Sequence, residues 1–354
     1  MAYSDLSISV IIPVYNAAEF IAKAVESALN QPEVAEVLLI EDGSKDNSFG
    51  ICTLLSEKNE KVKLLTHPNN ENRGAGESRN LGIKNAKCDF LAFLDADDYY
   101  LPGRFRTEGT MFEDNPGIDG IYGAMGFYYY SEEGKKRYKE MGYQDVATIS
   151  GKIPANELFY SLVHIHNSVS GQFHLNTLTV KRSVFAGKTE LFNNFTMHED
   201  TAFLIQLSLN CRIEPGNIEN PVAMYGVHEN NRIAKNSINS GSHIRYWKYL
   251  YDWSLHSSNG RRFSKLFHAF WIREKLLMSD KFKGALQLVW YSMTNNLFLK
   301  KGILFVPAAR HVLAKRVAAY ILNYKERLQM NIFKSHPYSS IMDEFIKAPK
   351  EIGS

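Results

Sequence analysis

The amino-acid sequence predicts an α/β fold: a mostly parallel sheet flanked by helices, with a mainly helical C-terminal region. Three observations carry this expectation. Over the first hundred residues, short apolar runs alternate with amphipathic stretches of helical spacing. Each apolar run ends in a cluster of turn-forming polar residues. After about Ser237 the strand-like runs give way to a succession of helical ones. Strands alternating with helices imply right-handed crossovers and parallel pairing. The expected division is a domain over 1–236, with halves 1–116 and 117–236, and a helical region over 237–354.

Taken in order, ISVIIPVYN reads as a buried strand, and AAEFIAKAVESALNQ has apolar positions at Phe20, Ile21, Ala24, Val25 and Leu29, which mark a helix. VAEVLLIEDGS is a second strand ending in turn chemistry, SFGICTLLSEKN a helix and VKLLTHP a third strand. AGESRNLGIKNAK is a helix and DFLAFLDADD a fourth strand. Between 117 and 236 the pattern is irregular and rich in aromatics, and NTLTVKRSVF contains a strand. In a parallel sheet ligands bind beyond the carboxyl ends of the strands. The polar clusters PVYN, EDGSKDNS, HPNNENRGAG and DADD all fall there.

Bulk properties narrow the classes. The chain has 354 residues, enough for two or three domains, and 22% charged residues, ordinary for a globular protein. Its net charge of +3 is unevenly spread: Arg261–Met330 holds 14 Lys/Arg against 3 Asp/Glu, which leaves the remainder eight charges negative. Three scattered cysteines form no CxxC pair, so no disulfide framework is expected and a reducing cytoplasm fits. The first ten residues lack a basic segment followed by an apolar one, so no signal peptide is expected. The basic excess comes with no nucleic-acid motif, so no nucleic-acid partner is expected.

Several residues carry candidate chemistry. Asp95 and Asp97 are two apart, so on an extended backbone they would project the same way and suit a hard divalent cation, Mn²⁺ or Mg²⁺. The alternative for DADD is a solvated turn. Asp42 and Ser44 end another strand, where a carboxylate can accept from a base N–H; the alternative is an Asx-turn before a helix. The stretch NRGAGESRN is Gly-rich and opens a helix, so its backbone N–H groups and Arg79 could face an anion. It lacks the third glycine of a dinucleotide fingerprint. For its glycines the alternative is a tight turn, and for Arg79 a surface salt bridge. Glu199 and Asp200 precede an amphipathic run, where an N-cap and a general base can be the same residue. His164 and His166 form an HxH without a third zinc ligand at proper spacing.

The segments VIIPVYNAAEFIAKAVESALNQ, LLIEDGSKDNS, NRGAGESRNLGIKNAKCDFLAFLDADD and HED occur in the order and spacing of family-2 glycosyltransferases of the GT-A fold. The sequence resembles that family, in its bacterial polysaccharide or lipid-linked glycan type, strongly over residues 7–110, more thinly to 236, and not beyond. The resemblance implies an inverting hexosyl or N-acetylhexosaminyl transferase that uses a nucleotide-sugar donor, usually a UDP-sugar, and a glycan or lipid-linked acceptor. It implies that Pro13, Tyr15 and Asn16 border the base and ribose pocket, that Asp42 reads the base, and that Gly74 and Arg79 belong to the loop that closes over the nucleotide. It further implies Asp97 as the metal ligand, Asp95 on the ribose or a metal-bound water, Asp200 as general base and Glu199 as its neighbour. His228 matches a histidine that ligates the metal or meets the diphosphate, and Arg232, with Lys235, would neutralise leaving-group charge. The family's usual Arg beside the tyrosine is replaced here by Tyr225–Gly226.

The stripe Val312, Leu313, Val317, Tyr320, Ile321 and Tyr324, with Lys315, Arg316, Lys325 and Arg327 elsewhere, fits an interfacial helix drawn to anionic lipid. The alternatives are a core-packed helix with a solvated basic face and a homodimer contact. Two rival functions are a sugar nucleotidyltransferase and a catalytically silent nucleotide-binding or scaffold protein. The first would need a glycine-rich, basic loop after the first strand, where this chain has PVYNAAEF.

Overall fold

The computed structural model describes residues 6–140, 145–166, 168–187, 191–195, 197–229, 231 and 240–279. Residues 1–274 form one compact unit and 275–354 a second. The expected boundary at 236/237 therefore falls inside the first unit. Arg232, Lys235 and the 312–327 stripe lie outside the described residues.

The strand–helix alternation is present as read. β1 (Ile8–Val14), β2 (Val34–Glu41), β3 (Val62–Thr66) and β4 (Phe90–Phe93) pair in parallel in the order β3-β2-β1-β4. β1 is central, and every residue in it but Pro13 is buried, as a strand covered on both faces requires. The crossovers are α1 (Ile21–Leu29), α2 (Ser48–Lys58) and α3 (Ala75–Asn85). α1 buries Ile21, Ala24, Val25 and Ala28, the i, i+3, i+4, i+7 face its spacing predicts.

After β4 come β5 (Tyr99–Tyr100), α4 (Arg106–Asp114), β6 (Gly120–Tyr122) and β7 (Ala124–Tyr129). Next are α5 (Glu132–Glu140), β8 (Val146–Ala147), α6 (Leu158–Leu162) and β9 (Leu178–Lys181). The remaining elements are α7 (Glu199–Asn210), β10 (Ile213–Pro215), β11 (Pro221–Val227), α8 (Ser240–His256) and α9 (Ser264–Ser279). The main sheet has seven strands in the order β10-β6-β9-β4-β1-β2-β3, and β9 is the strand expected within NTLTVKRSVF. It runs antiparallel to both of its neighbours, β4 and β6. A second sheet, β5-β11-β7-β8, places β11 beside the segment that follows β4. α7 is held on the main sheet by Phe203, which stacks on Phe192 at 4.0 Å between ring centroids and meets Phe93 of β4 edge-on at 6.0 Å.

One expectation needs correction. DFLAFLDADD is not a strand throughout: β4 stops at Phe93, and Asp95–Asp98 is a tight turn closed by Asp98 N–H donating to the Asp95 carbonyl at 3.0 Å. The strand period therefore does not apply to Asp95 and Asp97, and their side chains diverge.

Candidate active site

The carboxyl ends of β1 and β2 carry two loops that fasten each other. Asn16 adopts a left-handed conformation (φ 50°), which Asn tolerates better than most residues. Its N–H donates to Ser44 Oγ at 3.0 Å, and its Oδ1 accepts from Lys45 N–H at 2.7 Å. Ala17 N–H donates to Ser48 Oγ at 2.8 Å and Ala18 N–H to Asp46 Oδ2 at 3.0 Å. The Ser44 hydroxyl thus orders the loop, while Tyr15 stands exposed beside it.

Asp42 directly follows β2 and is buried. Its Oδ1 accepts from Arg73 N–H at 2.6 Å and its Oδ2 from Gly74 N–H at 2.9 Å, so the carboxylate pins the loop that leads into α3. Gly74 caps that helix at φ 87°, ψ 161°, a backbone conformation suited to glycine. Burial pushes the Asp42 carboxyl above the usual range, against the pull of those two N–H groups and of His67, whose Nε2 is 3.6 Å away.

Arg79, on α3, does not lie in a surface salt bridge and does not face outward to an anion. It is 2% exposed, and its guanidinium reaches Asp95 Oδ1 at 2.7 Å and Glu199 Oε1 at 3.4 Å. Burial alone would lower its pKa, but the charges of Asp95, Glu199 and Asp200 outweigh that and raise it. The reason is placement: Arg79 lies between Phe192, the turn after β4 and α7, where only a carboxylate partner makes a buried cation tolerable. One guanidinium thereby couples the turn after β4 to the first turn of α7.

α7 begins at Glu199, with His198 as its cap in a left-handed conformation (φ 70°) and no side-chain cap bond. Asp200 is therefore not the N-cap but lies within the first turn, where its Oδ1 accepts from Thr201 N–H at 2.7 Å. The left-handed His198 breaks the chain direction just before the two acids. His198 itself meets α8: its Nε2 is 3.3 Å from Ser242 Oγ, and its ring lies 4.6 Å from that of His243.

Asp97 points away from Arg79. Its Oδ2 lies 3.0 Å from His228 Nε2 and accepts from Asn231 Nδ2 at 3.4 Å. His228 follows β11 directly, and Phe20 stacks on its ring at 4.4 Å. A Cβ on Gly226 would stand 2.3 Å from the Asp97 carbonyl oxygen, so only glycine lets β11 approach the turn this closely. This is the physical account of Tyr225–Gly226. Asp98 is buried and accepts from Gly226 N–H at 2.8 Å and from Asn176 Nδ2 at 2.5 Å. Burial, then the charges of Asp97 and Asp95, push its carboxyl well above the ordinary range.

Two donor sets here suit a hard divalent cation. One is Asp97 with His228. The other is Asp95, Asp98 and His174, whose candidate ligand atoms lie within 4.8 Å of one another. Carboxylate oxygens with one imidazole fit Mn²⁺ or Mg²⁺ better than a thiolate-seeking metal. The HxH is used otherwise: His166 Nε2 is 2.8 Å from Glu157 Oε2, and its Nδ1 accepts from the Ser168 and Val169 N–H groups.

The structure therefore brings Asp95, Asp97, Glu199, Asp200 and His228 into one region, and fixes Asp42, Ser44 and Gly74 in adjoining loops. Sequence reasoning missed His174, Asn176, Asn231 and Phe20. Only the antiparallel register of β9 on β4 would have signalled Asn176, and no local motif announces it.

Residues 9–174 match the family model described as Glycosyl transferase family 2. A glycosyltransferase of Rickettsia conorii with no characterised activity is 36% identical over 133 residues, 37% of this chain and 21% of that protein. Succinoglycan biosynthesis protein ExoU of Rhizobium meliloti is 38% identical over 103 residues, 29% of this chain and 30% of that protein. The chain thus spans a third or less of the length of these relatives. Among solved structures, S. aureus TarS in complex with UDP-GlcNAc superposes with a TM-score of 0.56 at 16% identity, covering 87% of this chain and 80% of that one. The fold is that of GT-A proteins, and over residues 9–174 the chain is similar to family-2 glycosyltransferases.

Proposed function

We propose that this protein is an inverting glycosyltransferase that moves a sugar from a nucleoside-diphosphate donor, a UDP-sugar, to a hydroxyl of a glycan or lipid-linked acceptor. The observation that carries the reading is the Asp95–Arg79–Glu199 bridge. It sets the acids of the β4 turn and those of α7 on opposite arms of one buried cation, with Asp97 and His228 turned the other way.

The donor lies across the carboxyl ends of β1, β2 and β4. Pro13, Tyr15 and Asn16 flank the base and ribose. Asp42, already holding the Arg73 and Gly74 N–H groups, offers its remaining lone pairs to a base N–H. Asp97 and His228 would hold Mn²⁺ or Mg²⁺, with Asp95 beside them, and the bound cation supplies Lewis-acid stabilisation of charge on the diphosphate. Asp200 takes the proton of the acceptor hydroxyl, and Glu199 stays paired with Arg79. The acceptor oxygen bonds to the anomeric carbon from the face opposite the nucleotide. The bond to the β-phosphate oxygen breaks, and its electron pair leaves with the nucleoside diphosphate. No covalent intermediate on the chain is needed.

Among the described residues no helix is long and apolar enough to cross a membrane. The basic excess over 261–330 supports peripheral attachment to anionic lipid on the cytoplasmic face of the inner membrane. Flotation with anionic vesicles at low and high salt tests this, and no binding at low salt defeats it.

A screen of nucleotide sugars for Mn²⁺-dependent release of nucleoside diphosphate tests the main reading. Turnover of at least one UDP-sugar, lost on chelation with EDTA, is expected. Release of pyrophosphate from a nucleoside triphosphate and a sugar phosphate would instead identify a nucleotidyltransferase. No turnover of any donor would favour a silent binding protein.

A further inference from the structure

Asn176 is completely buried, and both ends of its carboxamide bond to the Asp95–Asp98 turn. The pairing register explains how it gets there. β9 runs antiparallel to β4 with Leu91 opposite Val180 and Ala92 opposite Thr179. Carried onward, that ladder sets Asp95 opposite Asn176. There β4 has already left the sheet, and a side chain replaces the missing backbone partner: Asn176 Oδ1 accepts from Asp95 N–H at 3.2 Å. The other end of the same carboxamide donates from Nδ2 to Asp98 Oδ2 at 2.5 Å. One amide group thus ties the first residue of the turn to the last.

Asn176 is itself held from behind. Arg104 Nη2 lies 3.5 Å from the Asn176 carbonyl and 3.3 Å from Thr179 Oγ1, and Arg104 is paired with Glu108 inside the protein. Asp98 is anchored on its far side by Gly226 N–H of β11, the strand that leads to His228. The turn is therefore clamped between β11 and the segment that leads into β9, and Asp95 and Asp97 are carried on it half-buried.

We propose that Asn176 is a positioning residue: by fixing both ends of the Asp95–Asp98 turn, it sets where the Asp95 and Asp97 carboxylates stand when a cation and a nucleoside diphosphate bind. The inference rests on the glycosyltransferase reading above. Groups that orient metal ligands typically alter metal affinity 10–100-fold when removed.

The test uses Mn²⁺ itself as probe, titrated into the full-length protein in the presence of UDP and followed by electron paramagnetic resonance. Asn176→Asp keeps the acceptor for Asp95 N–H but loses the donor to Asp98. Its Mn²⁺ affinity should fall roughly 10–100-fold, with UDP affinity in the absence of metal unchanged. Asn176→Leu removes both bonds at similar volume and should lower Mn²⁺ affinity at least as far. Thermal melting of each variant reports folding separately. A variant that melts earlier but binds Mn²⁺ as the unmodified protein does would overturn the inference and leave Asn176 merely structural. Failure of the unmodified protein to bind Mn²⁺ with UDP shows before any variant is made; it overturns the glycosyltransferase reading and this inference with it.

Discussion

The two halves of the site are built differently. In the first half, the loops after β1, β2 and β3 hold one another through bonds between residues 28 to 32 apart: Asn16 with Ser44 and Lys45, Ala17 with Ser48, Ala18 with Asp46, and Asp42 with Arg73 and Gly74. In the second half, single residues reach back to the β4 turn and to α3 across 78 to 131 positions: Asn176 and Gly226 to Asp98, Glu199 to Arg79, His228 to Asp97. The first half is a set of neighbouring turns that order one another. The second supplies chemistry one residue at a time, and each contribution depends on a strand or helix being delivered correctly. Damage should therefore be graded in the first half and abrupt in the second.

The largest expected effect is on chemistry. Asp200→Asn should reduce transfer by roughly 10²–10⁴-fold, the range for a positioned base, with UDP binding preserved; near-normal turnover in a steady-state assay would remove Asp200 from that role. Next comes the bridge between the halves. Arg79→Ala leaves Asp95 and Glu199 facing each other without their cation, and breaking a buried pair costs about 3–5 kcal/mol. Urea unfolding should show that loss, and a change below about 1 kcal/mol, the scale of a surface pair, would mean the bridge couples nothing. Gly226→Ala forces β11 away from the Asp97 carbonyl. Overpacking of this kind typically costs about 1–3 kcal/mol, and it should weaken Mn²⁺ binding as well as stability. The smallest effect belongs to the first half. Ser44→Ala removes one acceptor from a solvent-accessible N–H and should cost about 1 kcal/mol or less in urea unfolding. A larger loss would contradict the graded character of that half.

This contrast also explains what the sequence revealed. β1 to β4, with their helices, were legible because periodicity and turn chemistry are local properties. The acids were legible as residues, and the family resemblance assigned them roles. Their directions were not legible. The strand ends at Phe93 rather than running through DADD, so Asp95 and Asp97 part company where an extended chain would have aligned them. Arg79 read as a loop cation because nothing local shows that its helix face is covered by Phe192 and α7. Asn176 sits in HLNTLTV without any motif, and its meaning lies wholly in a register with β4 that pairing alone creates. Tyr225–Gly226 looked like a departure from the family and proves to be a steric requirement of the approach to Asp97.

The central claim is that residues from both halves meet in one metal-assisted nucleotide site. Calorimetric titration of UDP, with and without Mn²⁺, into the unmodified protein and Asp97→Ala tests it most directly. The account predicts that Mn²⁺ strengthens UDP binding to the unmodified protein and that this dependence disappears in Asp97→Ala. Equal UDP affinity with and without Mn²⁺ in the unmodified protein, or metal dependence retained in the variant, would contradict it.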